Sequence, residues 1–400
     1  MRDVVIVEAC RTAVGKFGGS LKPLLAEDLS LAVMKGAIER SGIDPEEINE
    51  VIMGQCRQSS DCSNIARVCA LRAGIPESTP ANTVMCACAS GMLAASNGAN
   101  SIAVGQNDVV LAGGTEHMTN AHFYLTNARW GVGIGTTELK DSLTEAQFTS
   151  QPQEIYGRFN MGMTAENVAE RMNISREDQD AFANMSQERA AKAIASGRFK
   201  DEIVPLTVPQ GPKKDPIVFD TDEFPRRSSV EALAKLRPAF KHGGSVTAGN
   251  ASGRNDGASI LLLMGEEKAT RLGMKPLAKI RGIASTGVDP RYMGMGPVPA
   301  TKKVLAITGL TLDDIELIEL NEAFAAQALG CIRDLGIEDR MDIINVNGGA
   351  IALGHPVGSS GSRIMVTLIH EMRKRNMKIG LAALCVAGGM GMASVLEMVY

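Results

Sequence analysis

The sequence predicts an α/β fold built from two copies of one unit, with a long segment inserted between them. Three observations predict this. Short β-rich runs alternate with helical patterns over the first 118 residues and again over the C-terminal third, which is typical of a largely parallel sheet covered on both faces. The two stretches resemble each other in sequence. Residues 119–244 do not fit the repeat and carry their own turns, helix starts and prolines.

The first unit supplies most of the local signals. It is predicted to contain, in order along the chain, strands at 4–7, 50–54 and 108–114, and helices at 28–41, 63–74 and from about 88 onward. The first helix is amphipathic and is expected to stop at Gly42, because glycine favours the left-handed conformation that ends helices. The last strand is expected to end in its glycine pair.

The second unit repeats this plan. Residues 42–52 align with residues 309–319, and in both places a helix precedes the glycine that opens the segment. Residues 111–114 align with residues 386–389. Agreement at two separate places argues against chance similarity between two glycine-ended strands. Two copies of one unit predict a pseudo-twofold structure, with a crevice near the shared axis where ligands of open α/β sheets bind.

Residues 119–244 are predicted to form a lid over this crevice or a surface for contacts between subunits. The segment 175–178 resembles a capping box before a long helix that Gly197 ends. Four prolines between 205 and 216 indicate extended chain. The predicted domains are therefore residues 1–118 with 245–270, the inserted residues 119–244, and residues 271–400.

Composition excludes several function classes. A net charge of -4 and an aromatic content of 4% argue against nucleic acid as a partner. No run of 18 apolar residues occurs, so no membrane span is expected. The 8 cysteines are scattered along a long chain, unlike the dense pattern of a small secreted domain. Together with a strand that begins at Val4 without a preceding leader, this predicts a reduced, cytoplasmic protein.

The apolar run 82–85 leads into a helix-like run at Cys86 and Cys88. A thiol at a helix N-terminus lies in the positive end of the helix dipole, which predicts a pKa below ~8.5 and a nucleophilic thiolate. Two alternatives stay open at this point. The cysteines can be a pair of small buried core residues, or a Cys86-x-Cys88 metal or redox pair, although the latter lacks a second pair of ligands.

Three loops of the second unit carry further chemistry. Asn321 directly follows a predicted strand and is expected either to hold a water or carbonyl group or to cap the next helix. His355 lies in a glycine-rich loop that favours close approach to a ligand, and it is predicted to be a base. Cys385 precedes a glycine-rich turn whose N–H groups can form an oxyanion hole. Two thiols and an imidazole on converging loops predict acyl transfer.

These loops resemble the four signature loops of the thiolase family. The matching motifs, in the family's order, are Cys88-Ala89-Ser90-Gly91, Asn321-Glu322-Ala323-Phe324, Gly354-His355-Pro356 and Cys385-x-x-Gly388-Gly389, with residues 247–253 and 293–297 as further similar segments. The similarity runs from Val4 almost to Tyr400 and is greatest to the acetyl-CoA acetyltransferases of the family. It implies a duplicated αβαβα layered fold with two pseudo-twofold related halves and an inserted lid domain.

The resemblance also implies a reaction, the reversible Claisen condensation of two acetyl-CoA molecules to acetoacetyl-CoA and coenzyme A. Cys88 would carry the acyl thioester, His355 would activate Cys88, and Cys385 would exchange the α-proton. His355 and a water on Asn321 would stabilise the oxygen of the incoming thioester, and the N–H groups of Cys88 and Ala387 would form a second oxyanion hole.

The resemblance implies a coenzyme A tunnel under the lid. Its implied lining consists of Ser252 near the pantetheine, Arg226 near the adenine, and Ala248, Phe240, Met161, Met293, Ala323 and Phe324. Two positions depart from the family pattern. Asn160 stands where members selective for acetoacetyl-CoA usually carry a histidine, and Ala387 replaces a usual glycine while it keeps its N–H.

Asn160 motivates a second hypothesis, a degradative 3-ketoacyl-CoA thiolase of broader or longer chain specificity. A third hypothesis is non-enzymatic, an acyl-CoA or lipid carrier or a scaffold subunit with this fold. The resemblance further implies acetyl-CoA or acyl-CoA as the partner molecule, no metal and no redox cofactor, a homotetramer formed as a dimer of dimers, and a role in fatty acid metabolism.

Overall fold

The computed structural model describes residues 1–226 and 228–400. Its strands are β1 (Val4–Thr12), β2 (Gly15–Lys16), β3 (Glu50–Gly54), β4 (Ala81–Val84), β5 (Val109–His117), β6 (Phe123–Tyr124), β7 (Lys140–Asp141), β8 (Ile203–Val204), β9 (Leu206–Val208), β10 (Ile217–Phe219), β11 (Asn255–Gly265), β12 (Ala278–Gly287), β13 (Leu317–Leu320), β14 (Ile379–Val386) and β15 (Met390–Met398). Its α-helices are α1 (Ala26–Ser41), α2 (Ile65–Arg72), α3 (Ser90–Ala103), α4 (Ser142–Phe148), α5 (Gln153–Tyr156), α6 (Met161–Arg171), α7 (Arg176–Ala195), α8 (Val230–Ala234), α9 (Glu266–Arg271), α10 (Pro297–Thr308), α11 (Ala325–Leu335), α12 (Ala350–Leu353) and α13 (Val357–Arg375). Of the helices in these two ranges, none has both the length and the apolar character that a bilayer crossing requires.

The order of strands in the large sheet shows the predicted duplication. The path β13-β14-β15-β12-β1-β11-β5-β3-β4 contains two equivalent runs. In each run a parallel pair, β13 with β14 or β3 with β5, is followed by two antiparallel pairings. The runs meet where β1 pairs antiparallel with β12. A twofold axis brings equivalent strands together in this antiparallel way, so the pseudo-twofold arrangement is confirmed.

The two aligned glycines end equivalent helices. Gly42 follows α1 with φ 68°, and Gly309 follows α10 with φ 71°. Glycine enters this left-handed region without the steric cost that a side chain would add. Each glycine is followed by a short 3-10 turn and then by an equivalent strand, β3 or β13. The predicted match between residues 42–52 and 309–319 is therefore confirmed.

The second predicted match differs in detail. The strand expected to end at its glycine pair, residues 113–114, continues as β5 to His117 and pairs with β11 throughout. The aligned pair at 388–389 instead turns the chain between β14 and β15, with φ values of 91° and 83°. A Cβ on Gly114 would lie 2.1 Å from the carbonyl oxygen of Gly358. Glycine is therefore needed there for close packing and not for a turn.

The buried apolar residues form three hydrophobic cores, one outer core in each unit and a central core around α3 and α13 that both units share. Along β11, alternate residues such as Ile260 and Leu261 enter two different cores, one beside α1 and α2 and the other beside α3 and α13. Along β14, Cys385 enters the second outer core, and its neighbour Leu384 enters the central core. A strand whose alternate residues are all buried has helices on both faces. The αβαβα layering is therefore confirmed.

The central layer carries two residues of the predicted site. α13 is buried along most of its length and packs against α3 and against strands of both units. α13 begins two residues after His355, and α3 begins two residues after Cys88. The packing of these two helices therefore determines how Cys88 and His355 lie relative to each other.

The insertion contains α4 to α8 and two small sheets, β6 with β7 and β9 with β10. Its strand β8 returns to the large sheet and pairs parallel with β1. The capping box before α7 is present, because Ser175 Oγ accepts the Asp178 N–H at 3.0 Å and the Asp178 carboxylate accepts the Ser175 N–H at 3.4 Å. Gly197, with φ 71°, follows the end of this helix as predicted.

Candidate active site

A cavity of about 370 Å³ lies where the two units and the insertion meet. Cys88, His355, Cys385 and Ala387 all line it. They come from three loops that are far apart in the sequence. The structure therefore brings together both predicted thiols, the predicted base and one predicted oxyanion-hole residue.

Cys88 lies in the tight 3-10 turn Ala87–Ala89 between β4 and α3. Ala87 has φ 42°, a left-handed conformation that costs a residue with a side chain roughly 1–2 kcal/mol. Two side chains hold this turn in place. Ser90 Oγ donates to the Ala87 carbonyl at 2.8 Å, and Cys56 Sγ donates to the same carbonyl at 3.0 Å. The turn thus presents the Cys88 thiol to the cavity in a fixed position.

The Cys88 thiol is protonated at rest. Burial raises its pKa to about 11, although the N–H groups of Ala387 and of Cys88 itself act in the opposite direction. The lowered pKa expected for a thiol at a helix N-terminus is therefore wrong, because removal from water outweighs the nearby N–H groups. Ala387 lines the cavity together with Cys88, so the N–H groups of both residues are candidates for an oxyanion hole around the oxygen of a bound acyl group.

We expect alkylation of Cys88 by iodoacetamide to be slow at neutral pH. Because only the thiolate reacts and the thiol pKa is about 11, the rate should rise about tenfold per pH unit up to at least about pH 9. Quantitative mass spectrometry of the peptide that contains Cys88 would measure this rate, with free glutathione as the reference thiol. A rate that is already at its plateau near pH 7 would contradict the raised pKa.

His355 is buried and neutral. Burial and the nearby charge of Arg363 lower its pKa to about 4. Its Nδ1 lies 2.6 Å from Ser360 Oγ, and that hydroxyl donates its one proton to the Pro356 carbonyl at 2.9 Å. Ser360 must then accept a proton from Nδ1, which leaves the lone pair of the neutral ring on Nε2. Nε2 has no partner within residues 1–226 and 228–400 and is free to accept a proton from Cys88.

Cys385 lies at the end of β14 and is fully buried. Burial raises the pKa of its thiol well above the ordinary value, and the neighbouring thiols of Cys88 and Cys331 raise it further. Cys385 lines the same cavity as Cys88. Both predicted thiols are therefore neutral at rest and share one cavity.

Asn321 is buried, and its side chain does not cap the helix that follows. Neither its Oδ1 nor its Nδ2 has a hydrogen-bond partner in the part of the chain that the structure describes. The start of α11 is instead held by Gln327, whose Oε1 accepts the Ala323 N–H at 3.0 Å. An unpaired buried amide costs about 1–3 kcal/mol. Asn321 is not among the described residues that line the cavity, although it lies two residues before the cavity residue Ala323. Its unpaired amide could hold a water or carbonyl group, as predicted.

Six of the residues implied for coenzyme A line the same cavity. They are Ser252, Phe240, Met161, Met293, Ala323 and Phe324. The rings of Phe240 and Phe324 meet edge to face, with centroids 6.1 Å apart, and form an apolar wall. The cavity therefore combines the reactive groups with an apolar surface suited to an acyl-CoA arm.

The other two residues implied for coenzyme A, Arg226 and Ala248, lie outside the cavity lining, and so does the predicted substrate-binding residue Asn160. Arg226 and Ala248 are exposed and adjacent, because the Arg226 guanidinium donates to the Ala248 carbonyl at 3.2 Å. The guanidinium also lies over the ring of Phe224, which packs against the cavity residue Gly253. Asn160 caps α6, with its Oδ1 accepting the Met163 N–H at 3.0 Å. Asn160 is not among the described residues that line the cavity, so it makes no direct contact with it.

Glu116 was not predicted from the sequence, yet its carboxylate links two segments of the site. It is fully buried and accepts the N–H groups of Cys56, Arg57 and Gly358 at 3.1, 3.0 and 3.0 Å. It thereby connects the Cys56 loop, which holds the nucleophile turn, to the first turn of α13. The sequence signal that could have identified it is an acidic residue within the apolar strand β5. A carboxylate buried in such a strand needs hydrogen-bond donors, so it indicates a specific structural role.

The chain was compared with known proteins. The family model described as thiolase, N-terminal domain, matches residues 4–267, and the model described as thiolase, C-terminal domain, matches residues 274–398. A protein of Syntrophomonas wolfei named acetyl-CoA acetyltransferase is 54% identical over 99% of both chains. The crystal structure of the Bacillus anthracis acetyl-CoA acetyltransferase matches with a TM-score of 0.96 at 44% identity and covers 100% of this chain and 99% of its own. Human mitochondrial 3-ketoacyl-CoA thiolase in complex with CoA matches with a TM-score of 0.94 at 42% identity and covers 100% of this chain and 98% of its own.

Proposed function

The chain belongs to the thiolase family, and we propose that it catalyses the reversible condensation of two acetyl-CoA molecules to acetoacetyl-CoA and coenzyme A. One observation carries the proposal. The thiols of Cys88 and Cys385 and the imidazole of His355 line one cavity, while the free Nε2 is positioned to act as a base. The names of the Syntrophomonas and Bacillus proteins support the same activity.

In the first half-reaction, Cys88 attacks the carbonyl carbon of acetyl-CoA. With a thiol pKa of about 11 and an imidazole pKa of about 4, a resting ion pair is unfavourable, so His355 Nε2 takes the proton as the S–C bond forms. The N–H groups of Cys88 and Ala387 stabilise the oxyanion. The bond to the coenzyme A sulfur then breaks, and the imidazolium protonates the departing thiolate.

In the second half-reaction, the Cys385 thiol gives its proton to His355 Nε2 as its sulfur removes the α-proton of a second acetyl-CoA. The His355 imidazolium and a water on Asn321 stabilise the resulting enolate oxygen. The α-carbon attacks the acetyl group on Cys88, a C–C bond forms, and the Cys88 sulfur leaves as a thiolate that takes the proton from His355. Cleavage of acetoacetyl-CoA follows the same steps in reverse.

We further predict that the enzyme needs no metal or redox cofactor, because coenzyme A thioesters bring the reacting groups themselves. We also predict a homotetramer formed as a dimer of dimers, a cytoplasmic location and a role in fatty acid metabolism, with neither nucleic acid nor membrane as a partner. The oligomeric state and the metabolic role follow from the resemblance to the family, and the location and the excluded partners follow from composition.

A chain-length series tests the proposal. We expect acetoacetyl-CoA to be cleaved with a kcat/KM at least as high as that of the six- and eight-carbon 3-ketoacyl-CoA substrates. Much slower cleavage of acetoacetyl-CoA would favour the second candidate, a 3-ketoacyl-CoA thiolase for longer chains. Two observations motivate that candidate. Asn160 stands where members selective for acetoacetyl-CoA usually carry a histidine, and the chain is similar to the human 3-ketoacyl-CoA thiolase. An acyl-CoA carrier or scaffold would cleave none of them.

Replacement of Asn321 by alanine should lower kcat about 10²–10³-fold, the usual effect of losing one oxyanion-hole group. The free energy of unfolding should change little, since the amide makes no hydrogen bond within the described residues. Steady-state kinetics and thermal unfolding of the same preparation measure both quantities. A decrease in kcat of less than about threefold would remove Asn321 from the site.

A further inference from the structure

We propose that the cavity accepts 3-ketoacyl-CoA substrates whose acyl chain ends in a carboxylate, and that Arg57 binds this carboxylate. The inference rests on the proposed function, because the carboxylate belongs to the acyl group that Cys88 would carry. It concerns a residue to which the reaction described above gives no role.

Arg57 lies beside the nucleophile. It lines the cavity together with Cys88, and its N–H is fixed by the buried carboxylate of Glu116 at 3.0 Å. The preceding residue, Cys56, donates its thiol proton to the carbonyl of Ala87 in the nucleophile turn. The main chain of Arg57 is therefore held one residue away from the group that supports Cys88.

The charge of Arg57 has no direct counter-ion in the described structure. Within residues 1–226 and 228–400, no carboxylate forms an ion pair with its guanidinium. Burial raises the pKa of Glu116 and the charge of Arg57 acts in the opposite direction, but the carboxylate oxygens of Glu116 accept hydrogen bonds from three backbone N–H groups. The guanidinium makes one hydrogen bond, from Nη1 to the Ser142 carbonyl at 3.4 Å, which is long for an N–H···O bond. An arginine offers five N–H donors, so most of them are left for a ligand.

The described lining of the cavity contains no carboxylate, and its two formal charges are both positive. They belong to Arg57 and Arg254. Arg254 is paired with Asp141 at 3.8 Å and lies over the ring of Phe17. Arg57 has no such pairing. A guanidinium that lines a cavity without a carboxylate partner favours an anionic ligand.

The phosphates of coenzyme A do not satisfy this charge. When a thioester reacts at Cys88, the full length of the pantetheine arm separates the phosphates from the reacting sulfur, whereas Arg57 lies next to the nucleophile turn. The residue implied for the adenine end, Arg226, lies outside the cavity lining. An anionic group that reaches Arg57 must therefore belong to the acyl chain.

Helix α4 contributes to the cavity wall next to Arg57. Its cavity residues include Leu143 and Ala146, which suit methylene groups, and Gln147, whose amide can donate a further hydrogen bond. Arg57 reaches the first residue of this helix through the Ser142 carbonyl. An apolar wall that ends at a cation matches a short aliphatic chain that ends in a carboxylate.

The chemistry at Cys88 is the same for such a substrate. His355 Nε2 takes the proton of Cys88 as its sulfur attacks the C3 ketone. The bond between C2 and C3 breaks, the acetyl-CoA carbanion takes a proton from Cys385, and Cys385 recovers one from His355. The dicarboxylic acyl group stays on Cys88 until coenzyme A thiolate attacks it and releases the shortened thioester. The terminal carboxylate takes no part in bond breaking and stays paired with Arg57 throughout.

A matched pair of substrates tests the inference. The CoA thioester of 3-ketoadipic acid and 3-ketohexanoyl-CoA have the same six-carbon chain and differ in a terminal carboxylate or methyl group. We expect the full-length enzyme to show a higher kcat/KM for the carboxylate substrate. Arg57→Met should lower kcat/KM for that substrate about 10- to 100-fold more than for 3-ketohexanoyl-CoA. Arg57→Lys keeps the charge but loses the bidentate geometry, so its ratio should lie between the two.

Three outcomes would overturn the inference. The two substrates could react equally well, Arg57→Met could leave their ratio unchanged, or it could slow both alike, which would mean that Arg57 acts on Cys88 through Glu116. Acetoacetyl-CoA is measured alongside. If the enzyme cleaves it while the ratio does not respond to Arg57, only this inference fails. If no 3-ketoacyl-CoA is cleaved, the proposed function fails as well.

Discussion

Replacement of Cys88 by alanine is expected to abolish acyl transfer, with kcat for thiolysis of acetoacetyl-CoA falling on the order of 10⁶-fold. The reason is geometric. Cys88 and Ala387 line one cavity with His355, whose Nε2 has no partner within the described residues. Cys385 shares the cavity but is fully buried at the end of β14, so we do not expect it to replace Cys88 as the nucleophile.

Mass spectrometry of the enzyme incubated with acetyl-CoA measures the transfer of the acetyl group to Cys88 directly. The unmodified chain should gain one acetyl group on the peptide that contains Cys88, and the Cys88→Ala variant should gain none. Cys86→Ala is the matched control, because Cys86 lies two residues away and is not among the described residues that line the cavity. It should keep the adduct and most of the activity. An acetyl adduct on the Cys88→Ala variant would assign the nucleophile to another residue.

Local patterns predicted the duplicated fold because each copy carries its own signals. A helix-ending glycine, Gly42 or Gly309, is visible in the sequence whatever the rest of the chain does. The end of β5 could not be predicted in this way. Its length depends on pairing with β11, more than a hundred residues further along the chain, and on the contact between Gly114 and Gly358. Long-range pairing of this kind leaves little trace in a local sequence window.

The functional site shows the same contrast between features that local motifs predict and features that depend on long-range packing. Cys88, His355 and Cys385 were predicted from short motifs, and the structure places all three on one cavity. The direction of the Cys88 pKa shift was not predicted, because it depends on burial by the packed layers and not on the adjacent helix. The proton position on His355 was also out of reach, since it follows from which acceptor the Ser360 hydroxyl uses.

Replacement of Cys385 by alanine should separate the two half-reactions. Formation of the acetyl adduct depends on Cys88, His355 and the two N–H groups, none of which requires the Cys385 thiol. Abstraction of the α-proton from the second acetyl-CoA does require it. We therefore expect the variant to form the adduct while its overall condensation rate falls about 10²–10⁴-fold, the usual contribution of one general acid or base.

Two measurements distinguish these steps. Rapid-quench detection of released coenzyme A reports acylation, and exchange of the acetyl-CoA methyl protons with deuterated water reports the Cys385 step. The exchange should be lost in Cys385→Ala. Cys331→Ala is the matched control, because this buried thiol neighbours Cys385 but donates to the Gly294 carbonyl at 3.1 Å. It should keep the exchange. If acylation fell as far as condensation in Cys385→Ala, the thiol would be needed to activate Cys88, and the division of labour between the two cysteines would be wrong.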